Sequence, residues 1–168
     1  MTWRDARAEA ALEALRSAAR RADDTQIAGE LAVFEALAGF DELVRDLLID
    51  PDAETRSMAA LPLGWISTET TADRALLRLL GTDERDERAR ACLAEAALRL
   101  AGPQVNAEAP ALLADPSAAV HHRVAAFVGR QLRTPDQMPG RCEVDPELAA
   151  QACAIAGQPE RWPAEQIF

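Results

Sequence analysis

A repeated motif constrains this chain more than any other feature of its sequence. Residues 47–64 and 112–129 align at a constant offset of 65, through a Leu-Leu pair, an Asp-Pro pair, small apolar residues and a Gly. A looser copy lies between them at 79–98, so the Leu-Leu pairs begin at 47, 79 and 112. The turn of this middle copy is one residue longer, which leaves its register open. Periods of 32 and 33 residues indicate stacked units that each contact their neighbours.

Each copy predicts a helix, an Asp-centred turn and a second helix. The Leu-Leu pair ends a short amphipathic helix, and Asp50 and Asp115 can accept hydrogen bonds from free amides where the next helix begins. The Pro after each Asp is favoured in a first helical turn. Val120, Val124 and Val128 then recur at helical spacing along the second helix.

Composition supports an all-α fold. Alanine makes up more than a fifth of the chain and aromatic residues only 4%, which favours helices over sheet. The pattern predicts nine helices, at about 4–21, 25–38, 40–49, 53–67, 71–80, 85–101, 106–114, 117–133 and 146–156. Pro62 lies inside the fourth and should kink or break it.

The length of 168 residues suits a single domain. We expect residues 1–39 to form an N-terminal cap pair, 40–133 the repeats, and 134–168 a loop, a capping helix and a tail. The loop at 134–144, with two Pro and a Gly, is a candidate binding loop. Trp162 and Phe168 in the tail either dock as a cap or contact a partner.

The segment from Leu47 to Gly64 resembles a HEAT repeat of the short, phycobilisome-lyase type. Residues 112–129 match it with His121 in place of the usual Arg, and 79–98 match more loosely. The resemblance covers residues 40–133, and more weakly 6–38. It implies a short α-solenoid of about four helix pairs plus a C-terminal helix.

The resemblance does not imply a reaction, because one fold carries many functions. Most relatives are binding scaffolds, some attach bilins, and a distant group excises alkylated DNA bases. The Asp and Arg of the repeat are mainly structural in the family. That implies that Asp50, Arg56, Arg90 and Asp115 serve first as turn and inter-repeat residues and only second as a site.

The absence of lysine and the negative net charge exclude or disfavour several functions. The net charge is −10, and all 18 basic residues other than histidine are Arg, so Schiff-base chemistry, a pyridoxal-phosphate anchor and a P-loop lysine are absent. Either coding bias or selection against lysine modification accounts for this. Residues 117–133 contain three Arg, two His and no acidic residue, but no third of the chain as a whole is basic. Nucleic acid is therefore an unfavoured partner.

Targeting signals are missing from the sequence. No apolar run reaches the length of about 18 residues that a membrane span needs, and the charged N-terminus lacks the apolar core of a signal peptide. Three widely spaced Cys do not form a disulfide framework. We therefore expect a cytoplasmic protein without a membrane partner.

Nothing in the sequence favours catalysis, a cofactor or a metal site. His121 and His122 are adjacent on a helix and point about 100° apart, so a shared metal would need further ligands, such as Cys92. Cys92 is expected to pack inside as a small apolar residue. Paired carboxylates, such as Asp23-Asp24, lie at turns and helix starts, where they suit capping better than acid–base work.

These observations predict a non-catalytic scaffold or adaptor that binds another protein through the ridge of second helices. The candidate partner-binding residues, all on those helices, are Arg56, Trp65, Arg90, Arg99, His121, His122, Arg123 and Arg130. Trp65 either fills the stack or anchors a partner. The alternatives are an acidic inhibitor or immunity protein that neutralises a basic toxin or nuclease, and a HEAT-like base-excision enzyme.

Overall fold

Every regular element that the structure describes is helical, which confirms the predicted all-α class. The structure is a computed structural model that describes Ala10, Glu13, Ala14 and residues 40–66, 70–133 and 143–157. The elements are α1 (Phe40–Leu47), α2 (Ala53–Ile66), α3 (Thr70–Asp83), α4 (Glu87–Arg99), a 3₁₀ turn (Gly102–Gln104), α5 (Val105–Leu113), α6 (Ala118–Arg133) and α7 (Pro146–Ala156).

Several predicted features lie outside the described residues. They are the helices predicted at 4–21 and 25–38 (apart from Ala10, Glu13 and Ala14), most of the loop at 134–144, and the tail with Trp162 and Phe168.

The helix limits agree with the periodicity, with three corrections. α3 continues to Asp83, so the Leu79-Leu80 pair does not end its helix as the other two pairs do. α2 is continuous through Pro62, so the predicted break is wrong. Pro51 and Pro116 precede their helices rather than lying in the first turn, because α2 begins at Ala53 and α6 at Ala118.

Each second helix packs beside the next. α2 packs against α4 and α4 against α6, while α1 contacts α2, α3 contacts α4 and α5 contacts α6. α7 packs against α6 and α5. We call α1, α3 and α5 the first helices and α2, α4 and α6 the second helices. This neighbour-by-neighbour packing is compatible with the expected solenoid, which stays a prediction.

α4 contributes to both apolar clusters of the core. Leu93 and Ala96 join Leu63 of α2 in one, and Leu98 joins Phe127 of α6 in the other. Small residues let the second helices approach closely. A Cβ added at Gly64 would lie 3.0 Å from the Cα of Ala96, so a larger residue would have to move α2 and α4 apart by a few tenths of an ångström.

Three equivalent turns fix the register that the sequence left open. Asp50, Glu84 and Asp115 each accept a hydrogen bond from the backbone N–H two residues on, at 2.8, 2.9 and 2.7 Å. The middle unit is therefore aligned on Glu84, 34 residues after Asp50 and 31 before Asp115. Asp52 and Asp86 then cap α2 and α4 through bonds from the amides of Thr55 and Ala89.

Within the residues that the structure describes, every helix is too short or too polar to cross a bilayer.

Candidate functional site

Two arginines of the second helices connect successive turns. The Nε of Arg56 donates to Glu84 at 2.6 Å, and its Nη2 donates to the other carboxylate oxygen at 2.9 Å. Arg90 repeats this contact one unit later, with Nη2 donating to Asp115 at 2.9 Å. We call these two pairs the turn ladder. It agrees with the inter-repeat role that the resemblance implied for Arg56, Arg90 and Asp115.

Arg56 also binds the turn of its own unit. Its Nη1 donates to the carbonyl oxygens of Asp50 and Pro51, at 2.7 and 2.9 Å. The hydrogen bond between the side chains of Arg56 and Glu84 raises the pKa of Arg56 and lowers that of Glu84. A paired, two-pronged contact of this kind fixes geometry as well as adding attraction.

Three other arginines converge on Glu95, a carboxylate in the middle of α4. Arg99 Nη2 lies 2.6 Å from Oε1, Arg123 Nε lies 2.6 Å from Oε2, and Arg130 Nη2 lies 2.5 Å from Oε1. We call these four residues the Glu95 cluster. One carboxylate thus faces three guanidinium groups where α4 packs against α6.

Helical spacing explains why these side chains meet. Glu95 and Arg99 are one turn apart on α4, and Arg123 and Arg130 are two turns apart on one face of α6. Phe127 lies between those two on α6, and the Cζ of Arg99 is 5.5 Å from the centre of its ring. A guanidinium over an aromatic face at this distance adds a cation–π attraction.

The Glu95 cluster is largely removed from water. The Glu95 side chain is 2% exposed, and those of Arg99, Arg123 and Arg130 are 11%, 12% and 15% exposed. Burial alone would raise the pKa of Glu95, but attraction by Arg130, Arg123 and Arg99 outweighs it and holds the pKa well below 4.5. Burial would likewise lower the pKa of Arg123, and attraction to Glu95 raises it overall. Glu95 and Arg123 are therefore both charged at neutral pH.

The two histidines occupy different environments. His121 is half-buried, and its Nδ1 lies 3.1 Å from the carbonyl oxygen of Asp115. It holds the position in α6 that Arg56 holds in α2, six residues after the Asp of the turn. His122 is exposed, and the two rings meet edge to face at 4.6 Å.

The structure changes how the candidate residues are interpreted. Arg56, Arg90, Arg99, Arg123 and Arg130 were expected to project as a row from the second helices. All five instead form ion pairs within the fold, because an arginine side chain reaches the next turn or the neighbouring helix. Of the eight candidates, His122 is the one whose side chain is described as exposed.

Trp65 lies on α2, and its side chain is outside the described residues. Its backbone position is nonetheless informative. It follows Arg56 by nine residues, as Arg99 follows Arg90 and Arg130 follows His121. The sequence thus changes from Trp to Arg at one equivalent position along the three second helices.

Sequence reasoning missed the acidic partners. Glu95 was not singled out, although it stands inside an alanine- and leucine-rich helical run with Arg99 four residues later. A lone carboxylate among apolar residues with an arginine one turn on is the signal that could have found it. Glu84 was missed because Asp83 fitted the turn motif equally well.

Cysteine and histidine side chains bear on two further kinds of chemistry, nucleophilic catalysis and metal binding. Cys92 is buried as predicted, and burial raises the pKa of its thiol, which disfavours the thiolate that a nucleophile needs. Among the described side chains, no three His, Cys, Asp or Glu residues are grouped so that they could hold a metal ion. Cys142 lies outside the described residues.

Comparison of the chain with protein-family models, with curated proteins and with solved structures gives no match.

Proposed function

We propose that this protein is a HEAT-like binding module that holds another protein against the face formed by its second helices. The observation that carries the proposal is the side-by-side packing of α2, α4 and α6, the last of which has basic residues and no acidic one. A protein partner is expected where packed helices present adjacent surfaces with distinct charge.

The charge of the second helices opposes that of the whole chain. α6 contains Arg123, Arg130 and Arg133 and no acidic residue. α1, by contrast, has three acidic residues and the single basic Arg45. This separation supports a binding face on the second helices, because it distinguishes that face electrostatically in a protein of net charge −10.

The turn ladder supports the same proposal through rigidity. Arg56 and Arg90 hold three successive turns at fixed distances from one another. A face whose helices are already fixed loses little conformational freedom when a partner binds, which improves affinity.

Site-specific photo-crosslinking tests the proposal. A photoreactive residue is introduced at exposed His122 on α6, and in a control protein at exposed Leu79 on α3. We expect a discrete crosslinked protein from position 122 and not from position 79, followed by reconstitution of the complex from purified components. Crosslinking from position 79 alone, or no reconstituted complex, would refute the proposal.

The net charge of −10 favours a second candidate, an acidic inhibitor or immunity protein. It predicts a basic toxin or nuclease as the crosslinked species and a complex whose association slows steeply as salt rises. Crosslinking to an acidic or neutral protein would contradict that candidate and leave the binding module standing.

A further inference from the structure

We infer that the Glu95 cluster is the place on the second-helix face where an acidic segment of the partner binds, through a carboxylate that contacts Arg123 and its neighbours. The inference rests on the proposed function and adds the chemistry of the partner. It begins from the ratio of charges, since three guanidinium groups surround one carboxylate.

That ratio has a physical consequence. Each guanidinium has five N–H donors in a planar fork, far more in total than the oxygens of a single carboxylate can accept. A second anion beside Arg123 would add an attraction to a guanidinium that shares its one described acceptor, Glu95, with two others. Arg99 and Arg130 make further contacts of their own, so the argument depends on Arg123.

Arg123 offers the clearest binding geometry. Among the described residues, Glu95 is its one hydrogen-bond acceptor, and Nε makes that bond. Its two terminal nitrogens are therefore available to donate hydrogen bonds to both oxygens of one carboxylate. This bidentate arrangement is the one in which arginine recognises carboxylates best. The bond to Glu95 fixes the guanidinium beforehand and reduces the entropy lost on binding.

Burial favours an acidic peptide over nucleic acid. The three arginine side chains are between 11% and 15% exposed, which suits contact with one or two carboxylates rather than with a long backbone. A nucleic-acid backbone needs a track of exposed cations, whereas Arg56 and Arg90 of the second helices are bound in the turn ladder.

The test measures binding of a fluorescein-labelled peptide of ten glutamates by fluorescence anisotropy at low salt. We expect saturable binding to the wild-type protein and about ten-fold weaker binding to Arg123→Gln, the loss typical of a charged hydrogen bond. The matched control is Arg78→Gln, which removes the same charge from exposed Arg78 on α3. Its affinity should stay within about two-fold of wild type.

A second variant guards against loss of the fold. Glu95 keeps Arg99 and Arg130 in Arg123→Gln, so we expect the circular dichroism spectrum to be unchanged. If the spectrum shows unfolding, Arg123→Lys takes its place, since it keeps the charge and loses the fork. It should weaken peptide binding several-fold.

Four outcomes would overturn the inference: no saturable peptide binding, equal losses in Arg78→Gln and Arg123→Gln, tighter binding of a short DNA duplex than of the peptide, or stabilisation by inorganic phosphate without peptide binding. None of these touches the crosslinking result from position 122. The inference about acidic segments can therefore fail while the proposed binding face stands.

Discussion

At the scale of single residues, the fold depends on charges where apolar side chains are expected. Glu95 is 1% exposed in a helix that otherwise buries Ala, Cys and Leu. Removing a carboxylate from water is costly, and that cost is recovered only when good hydrogen bonds surround it. Arg99, Arg123 and Arg130 supply those bonds and at the same time join α4 to α6.

Replacing Glu95 tests this account. Glu95→Gln removes the charge that three partly buried guanidinium groups share, so we expect the free energy of unfolding to fall by about 3 kcal/mol or more. Urea denaturation at neutral pH measures it. Glu87→Gln, at an exposed position in the first turn of the same helix, should change stability by less than about 1 kcal/mol. Equal losses in both variants would contradict the account.

The low pKa of Glu95 makes stability depend on pH with a definite sign. The folded protein resists protonation of this carboxyl, whereas the unfolded chain protonates it near 4.5. The contribution is therefore complete above that pH and is lost as the pH falls through the folded pKa. We expect the stability gap between wild type and Glu95→Gln to be the same at pH 7 and pH 5 and to narrow at pH 3, below the unfolded pKa of 4.5. If the urea midpoints of wild type and Glu95→Gln fall in parallel as the pH is lowered, this assignment is refuted.

At the scale of helices, close approach decides which small residues can change. Gly64 on α2 lies against Ala96 of α4, whereas a methyl group added at Gly81 on α3 would make an ordinary van der Waals contact with the Cβ of Leu93, at 3.8 Å. Both glycines lie inside helices. The same substitution therefore has opposite effects at the two positions.

Alanine substitution distinguishes them. In Gly64→Ala the new methyl group must push α2 away from α4, and we expect a loss of roughly 1–3 kcal/mol. In Gly81→Ala the helix gains propensity without a clash, and stability should rise by up to about 1 kcal/mol. Thermal melts of the two purified variants measure the difference. A destabilised Gly81→Ala, or a stabilised Gly64→Ala, would show that the packing is described wrongly.

The helices could be predicted from the sequence, because their periodicity and end signals are local. The limits of α7 agree with the prediction, and those of α2 differ by one residue. The register of the middle unit could not be predicted, because Asp83 and Glu84 both fit the motif and a bond to the Asp86 amide decides between them. The Glu95 cluster depends on contacts between helices that no local pattern encodes.

At the scale of the molecule, each helix is stabilised by its neighbours. α4 contacts α2, α3, α5 and α6, whereas α7 packs against α5 and α6. In stacked arrays, stability is roughly a sum of unit and interface contributions. The described part of the chain should therefore open more easily at α7 than at α4.

Hydrogen exchange followed by mass spectrometry measures this gradient. We expect the amides of α4 to exchange more slowly than those of α7, because opening α4 breaks four helix interfaces. Exchange of the urea-unfolded chain provides the intrinsic rates. Equal protection of α4 and α7 would indicate a single cooperative unit instead.

The turn ladder also gives the array a direction. Arg56 donates forward to the turn of the following unit, and Arg90 does the same. His121 holds this position in α6, and its described hydrogen-bonding contact is with its own turn. If a copy of α3 and α4 were inserted before α5, the turn of the copy would accept a hydrogen bond from Arg90. The copy's own equivalent of Arg90 would then donate to Asp115. A unit added after α6 would meet a histidine, so growth of the array by duplication is favoured in its interior.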